Sequence, residues 1–392
     1  MQYNFDEIIP RRNTHSIKWD ANPDDKVLPM WIADMDFKTA PEIISALQER
    51  ISHGIFGYTL TPNTFYDAIL HWWNRRHGFE LNREWILASP GVISSLSAIL
   101  NALTDKGDKV IIQPPVYNHF STVIKNCGLE ILENNLKYKN GSYTMDFEDL
   151  KQKASDPSAK ILILCNPHNP VGRVWKREEL LQLSEIAERY DLIVVSDEIH
   201  SDLVFSDFKH IPYVSLGEKQ LLNSITLASP SKSFNLAGLQ VGYIFTQNKL
   251  FLDSISKEHS ARELELLSPL AVETLVAAYN ESELWFDALK TYIYSNYNFL
   301  KEFILSRLPE VKVSPLEGTY LVWLDCCALG FSAQELSDKL LEEQYLQLNA
   351  GTLYEKAGEG FLRMNIACPR ALLEEGLLRF EKAIEIIRLS TS

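Results

Sequence analysis

Ile225-Thr-Leu-Ala-Ser-Pro-Ser-Lys-Ser-Phe-Asn-Leu-Ala-Gly238 is the stretch on which the reading of this 392-residue chain turns. An apolar run stops at Ser229, and Lys232 follows in a Ser-rich loop closed by Gly238. Apolar runs without polar alternation fit strands covered by helices on both faces. Loops at the carboxyl ends of such parallel strands are where open α/β sheets bind ligands. A lysine seated there among hydroxyls can form a Schiff base, and partial desolvation lowers its pKa and makes its amine nucleophilic. Taken alone, Lys232 reads as a solvated loop lysine, the ordinary fate of that residue. Its neighbours along the chain change the reading.

Outward from that loop, short apolar runs alternate with amphipathic stretches, the pattern of an α/β domain. Strands are predicted at Val110–Gln113, Lys160–Cys165, Leu192–Asp197, Ser224–Ser229 and Val241–Thr246. Helices are predicted near Ile93–Leu103, Arg177–Tyr190 and Phe251–Leu267. A long helical pattern, Leu284–Leu308, leads into a different region. There Val311–Val313, Thr319–Asp325 and Gly360–Asn365 read as strands, and Ala333–Glu343 and Leu372–Arg388 as helices. The expected organisation is an N-terminal segment over 1–45, a large α/β domain over 46–283 and a smaller α+β domain over 284–392. The first forty residues are irregular and Pro-punctuated, so they are expected to pack on the small domain rather than form a core of their own.

Composition narrows the partners. Hydrophobic residues at 46% and charged residues at 23% are ordinary for a globular protein and argue against disorder. A net charge of −14 with scattered basic residues disfavours nucleic acid, which needs a basic footprint. The five cysteines, Cys127, Cys165, Cys326, Cys327 and Cys368, include no CxxC, and they read as thiols in a reducing compartment. Met1 to Arg12 lacks an apolar leader core, and no run approaches a membrane span, so a soluble cytoplasmic protein is expected. No metal-ligand spacing is read.

Five further segments carry candidate chemistry. In Leu192-Ile-Val-Val-Ser-Asp-Glu-Ile-His-Ser-Asp202, Asp197 ends a strand buried on both faces, a costly place for a carboxylate without a cationic partner. A protonated pyridine nitrogen would be such a partner, with His200 in reach of a phenolic oxygen on the same ring; a helix N-cap is the plainer reading of Asp197. Cys165-Asn-Pro-His-Asn-Pro-Val-Gly-Arg173 makes a rigid turn in which Asn169 could donate to that oxygen or to a substrate carboxylate. Ala88-Ser-Pro-Gly-Val-Ile-Ser-Ser-Leu96 feeds a helix whose free amides suit a phosphate, with hydroxyls from Ser229 and Ser231; a lone Gly91 is not a dinucleotide fingerprint. Pro114-Pro-Val-Tyr-Asn-His-Phe120 offers Tyr117 for stacking on a flat ring, and Phe361-Leu-Arg-Met-Asn365 offers Arg363 as a bidentate carboxylate clamp or an interdomain ion pair.

In this order and spacing the segments resemble the fold-type-I pyridoxal-phosphate enzymes, the aminotransferase class I/II superfamily, from about Trp31 to Arg370. The resemblance implies pyridoxal 5′-phosphate as cofactor and a mixed, mostly parallel sheet covered by helices. It implies that Lys232 forms the Schiff base and moves the Cα proton, that Asp197 pairs with the pyridine nitrogen, and that Tyr117 stacks on the ring. Asn169 and His200 would attend the phenolic oxygen. Gly91, Val92 and Ile93 would hold the phosphate with Ser229 and Ser231. Arg363, with Asn169 and the backbone near Ala33, would bind the substrate carboxylate. Tyr58, in Phe56-Gly-Tyr-Thr, matches a tyrosine that reaches the partner subunit's phosphate, which implies a homodimer with its active site at the interface. Asn169–Pro170 is a cis candidate by the same likeness.

Within the superfamily the chain looks most like the C–S lyases, the cystathionine β-lyases and cysteine desulfhydrases. The supporting segments are Asn4-Phe-Asp-Glu-Ile-Ile9, Val27-Leu-Pro-Met-Trp-Ile-Ala-Asp-Met-Asp-Phe37, Ser196-Asp-Glu-Ile-His200 and Asn365-Ile-Ala-Cys-Pro-Arg370. The aminotransferase pattern Gly-Leu-Arg-x-Gly becomes Gly238-Leu-Gln-Val-Gly242, so Gln240 stands where a phosphate-binding arginine would be. The expected reaction is β-elimination from cystathionine, cysteine or a related amino acid, giving pyruvate, ammonia and a thiol or hydrogen sulfide. The alternatives are an aminotransferase on the same scaffold and a regulatory protein that also carries lyase activity.

Overall fold

Alternate residues of a strand face opposite sides of its sheet, and the apolar runs of the middle region use both sides. In this computed structural model, which describes residues 3–205 and 207–391, seven strands form one sheet. They are β1 (Ile86–Ser89), β2 (Lys109–Ile112), β3 (Glu130–Glu133), β4 (Ala159–Cys165), β5 (Ile193–Asp197), β6 (Ser224–Ala228) and β7 (Gly242–Phe245). Their order is β1-β7-β6-β5-β4-β2-β3; β7 runs antiparallel to both neighbours and the other pairings are parallel. The sheet is thus mixed and mostly parallel. Val110, Ile112, Ile161, Ile163 and Val195 pack under the helix Val92–Leu103. Ile111, Leu162, Leu164 and Val194 pack on Leu180 and Leu183 of the helix Arg177–Arg189 on the other face.

Five helices frame the cavity and the elements behind it: α1 (Asn63–His77), α2 (Val92–Leu103), α3 (Lys249–Ala261), α4 (Pro269–Glu281) and α5 (Glu283–Arg307). The predicted helix Phe251–Leu267 ends early, at Ala261. Glu263 turns left-handed (φ 55°) and the Leu264 amide donates back to the His259 carbonyl, while Leu267 still returns to the core. The apolar spacing therefore outlasts the helix.

After α5 the chain builds a second, antiparallel sheet from β8 (Lys312–Val313), β9 (Leu321–Asp325), β10 (Asn349–Ala350) and β11 (Phe361–Asn365), ordered β8-β9-β11-β10. The N-terminal segment docks here. Leu28–Pro29 pairs in parallel with Leu346–Gln347, and the Asn365 amide donates to the Met30 carbonyl at 2.9 Å. Residues 1 and 2 of that segment, and residue 392 at the other end, lie outside the described residues. Arg11 and the buried Lys18 both pair with Asp36 at 2.7 Å. Burial works against the Asp36 charge, but the two cations hold its carboxyl below the ordinary range. Removing one member of such a buried cluster costs about 3–5 kcal/mol, so the segment is fastened, not draped.

Cys165, Cys326 and Cys368 are buried free thiols; Cys127 is half-buried and Cys327 exposed. Among the described residues no helix is long and apolar enough to cross a membrane, and no group of three or more His, Cys, Asp or Glu side chains is placed to hold a metal ion.

Candidate active site

A cavity of about 430 Å³ opens where β4, β5 and β6 end, between the large sheet, β11 and the N-terminal segment. Its lining takes in Gly91, Val92, Ile93, Tyr117, Asn169, Asp197, His200, Ser229, Ser231, Lys232, Ala33 and Arg363. Of the residues singled out from sequence, Tyr58 alone is not brought there. It stands 99% exposed on the loop between the helix Pro41–His53 and α1, so within one chain it touches no part of the site.

Lys232 follows β6, and its Nζ donates to the Ala33 carbonyl at 2.7 Å. Burial pushes its amine down to about 8; Asp34 opposes this, Arg363 adds to it and Asp197 opposes it. Asp197, the last residue of β5, is forced up to about 7 by burial, with the Ile199 amide at 3.1 Å, Glu198 and Lys232 as lesser influences. His200 lies against the edge of Tyr320, at 6.0 Å between ring centroids. Burial drives its imidazole down to about 3, and its Nδ1 has no partner among the described residues. The Tyr117 hydroxyl is pushed up to about 12 by burial, with Asp197 adding to the rise.

Arg363 comes from β11. Its Nη1 donates to Asn169 Oδ1 at 3.0 Å and its Nη2 to the Trp31 carbonyl at 2.7 Å, while Nε is buried with no partner among the described residues. The guanidinium sits 4.8 Å from the Tyr354 ring centroid. The Asn169–Pro170 bond is cis, as are Asn166–Pro167 and Pro114–Pro115. At the opposite end, Gly91 is the N-cap of α2, and among the described residues no side chain caps its first turn. Ser229 Oγ donates to the Val241 carbonyl at 2.6 Å and accepts from the Ser231 amide at 3.0 Å, which curls the loop beside those free amides. Gln240 lines the same end in a left-handed conformation (φ 50°).

Several lining residues escaped the sequence reading: Trp31, His119, Asn349 and Tyr354. Asn349 Nδ2 donates to the Tyr354 hydroxyl at 2.8 Å and to the Trp31 carbonyl at 3.1 Å, which fixes one wall. The only local cue was Gly351, where a Cβ would fall 2.0 Å from the Gly358 carbonyl; two chain segments cross there too closely for any other residue.

Pyridoxal phosphate fits this arrangement. A buried carboxyl with one amide partner at 3.1 Å calls for a cation such as a protonated ring nitrogen. Uncapped helix amides suit a phosphate, the Tyr117 face suits a flat ring, and an amine with a lowered pKa suits imine formation.

The comparisons with known proteins agree. The family model for aminotransferase class I and II matches residues 25–380. The chain is 44% identical to cystathionine beta-lyase PatB of Bacillus subtilis over 97% of its own length and 100% of that protein. It is 33% identical to protein MalY of Escherichia coli, over 98% and 100% respectively. The crystal structure of cystalysin from Treponema denticola, which contains pyridoxal 5′-phosphate, superposes with a TM-score of 0.96 at 34% identity, covering 98% of this chain and 100% of that one. The cofactor is pyridoxal phosphate, and the chain belongs to the aminotransferase class I and II family.

Proposed function

We propose that the protein is a carbon–sulfur lyase that performs β-elimination on cystathionine, cysteine or a related amino acid, releasing pyruvate, ammonia and a thiol or hydrogen sulfide. The observation that supports it most is end-to-end similarity to a cystathionine β-lyase, 44% over 97% of the chain, in a protein whose cavity gathers an amine, a carboxyl and a guanidinium. Gln240, in place of an arginine at the phosphate end, leans the same way.

In this reading Arg363 clamps the substrate carboxylate with two parallel N–H donors, giving up bonds to Asn169 and the Trp31 carbonyl to do so. Lys232 would hold the cofactor, and its Nζ, when free, would take the Cα proton of the substrate. Asp197 would pair with the ring nitrogen and keep it protonated. Pyridoxal phosphate, when bound, supplies the electron sink that spreads the charge left at Cα. The Cβ–S bond then breaks with its electron pair going to sulfur. The remaining three-carbon fragment takes up water to give pyruvate and ammonia. Tyr117 would stack on the ring, Asn169 and His200 would attend its phenolic oxygen, and the α2 amides with Ser229 and Ser231 would hold the phosphate. Tyr58 completes the site of a partner subunit, so the working form is a homodimer.

Incubation of the purified protein with cystathionine or cysteine, with pyruvate assayed in the absence of any amino acceptor, tests the reading. Pyruvate and free thiol in equal amounts are expected. Product that forms only when a keto acid is supplied overturns it in favour of transamination.

A further inference from the structure

Behind the wall that carries Lys232 lies a buried polar cluster to which the reaction assigns no part. Asp202, five residues past Asp197, accepts from Ser233 Oγ at 2.9 Å with one carboxylate oxygen. The other oxygen accepts from Trp72 Nε1 at 3.0 Å and lies 3.1 Å from His77 Nε2; both partners are on α1. Ser233 is the residue after Lys232 and is fully buried. Burial works against the Asp202 charge, but His77, Ser233 and Trp72 hold its carboxyl below the ordinary range. The bond to Ser233 is therefore a charge-assisted one, stronger than a hydroxyl would find at a neutral acceptor.

The Lys232 turn is held from two other directions. The Phe234 amide donates to the Pro230 carbonyl at 2.9 Å within the turn. Above it, Asn235 Nδ2 donates to the Met35 and Phe37 carbonyls at 3.0 and 2.9 Å, tying the turn to the N-terminal segment. Thr39 Oγ1 adds a bond to the Phe234 carbonyl at 2.7 Å from the same segment, and none of these contacts ties the turn to α1. A hydroxyl on the residue adjacent to the lysine, anchored to a carboxylate that is itself fixed to α1, does.

We propose that Asp202 is a positioning residue for Lys232: through Ser233 it fixes the floor of the lysine turn, and so aims the amine into the cavity. The inference rests on the reading of Lys232 as the lysine that holds the cofactor. Without the Ser233 anchor the turn loosens and admits water, and a better-hydrated site favours the cationic form of the lysine–cofactor linkage.

The test is a pH titration of the visible cofactor band in the holoenzyme, with melting temperature recorded alongside. In Ser233→Ala the band midpoint should rise by about one pH unit, a tenfold change in the ionisation equilibrium. Asp202→Asn, which keeps the shape and removes the charge, should move it the same way and serves alone if Ser233→Ala does not fold. Leu183→Ala, a core truncation on the far face of the sheet, should lower the melting temperature and leave the midpoint in place. An unshifted midpoint in the Ser233 or Asp202 variant, whatever its melting temperature, overturns the proposal. A borohydride-reducible band that survives in Lys232→Ala is a different failure: it removes the lysine reading on which the proposal stands.

Discussion

In the proposed role Lys232 has to satisfy opposed demands, since a neutral amine attacks a carbonyl and a charged one has a proton to give back. At a pKa of about 8, roughly one amine in ten is neutral at pH 7, against fewer than one in a thousand for an ordinary lysine. The sign follows from the base being harder to charge when buried: the neutral fraction grows with pH up to about 8 and then saturates. Adding pyridoxal phosphate to the cofactor-free chain should therefore produce the visible band at a rate that climbs about tenfold per pH unit below 8 and levels above it. A rate still climbing at pH 10 would contradict this. Arg363 makes a second prediction. Its fork is planar and Lys is a point charge, so Arg363→Lys should raise KM by about 10–100-fold with a smaller change in kcat, measured on cystathionine. At this scale the sequence was informative. Every residue singled out except Tyr58 lines one cavity, because most of them stand just past an apolar run, where an open sheet exposes its loops.

The start of α2 shows what one contact between elements does. A Cβ on Gly242 of β7 would meet the Gly91 Cα and the Ala228 carbonyl, each at 3.3 Å, so the start of α2 is packed directly on β7. A Cβ on Gly91 itself would meet only Ser94 Oγ, at 3.9 Å, because the space in front of it is the cavity. Gly91→Ala should accordingly leave the melting temperature of the cofactor-free chain within about 1 °C while weakening cofactor binding about tenfold or more. Gly242→Val should lower both, by overpacking. Equilibrium dialysis of pyridoxal phosphate and a melting curve separate the two. Elements were less legible than residues. Helix α1 was not predicted, since Trp72 and Trp73 are both buried and its sequence lacks a clean apolar stripe. The edge strand β3 offers only Ile131 and Leu132 between two glutamates, too short for alternation to register.

For the whole molecule, the loop that bears Tyr58 is the conspicuous feature. Ile55, Phe56, Tyr58 and Leu60 are all more than half exposed in the single chain, an apolar stretch that soluble surfaces seldom leave bare. If Tyr58 serves a partner's site, mixing an inactive Lys232→Ala chain with a crippled Tyr58→Ala chain should restore activity. Half the dimers formed from equal amounts are hybrids, and one of two sites in each is intact, so about a quarter of the parental activity should return. No recovery after subunit exchange, verified by native mass spectrometry, would contradict the shared site. The sequence held little local sign of how its ends meet. The Trp31 carbonyl accepts from Arg363, and the Ile32 and Asp34 carbonyls accept from Asn365, all within 2.7 Å across about 330 residues. No local periodicity encodes such a contact. On its other side the same stretch receives Lys232 at Ala33 and is gripped by Asn235. The arginine and the lysine thus hang from one short ribbon of backbone, and any swing of the smaller sheet tugs the acceptor of the lysine amine along with it. A cleft that opened with that sheet would unseat the amine in the same movement.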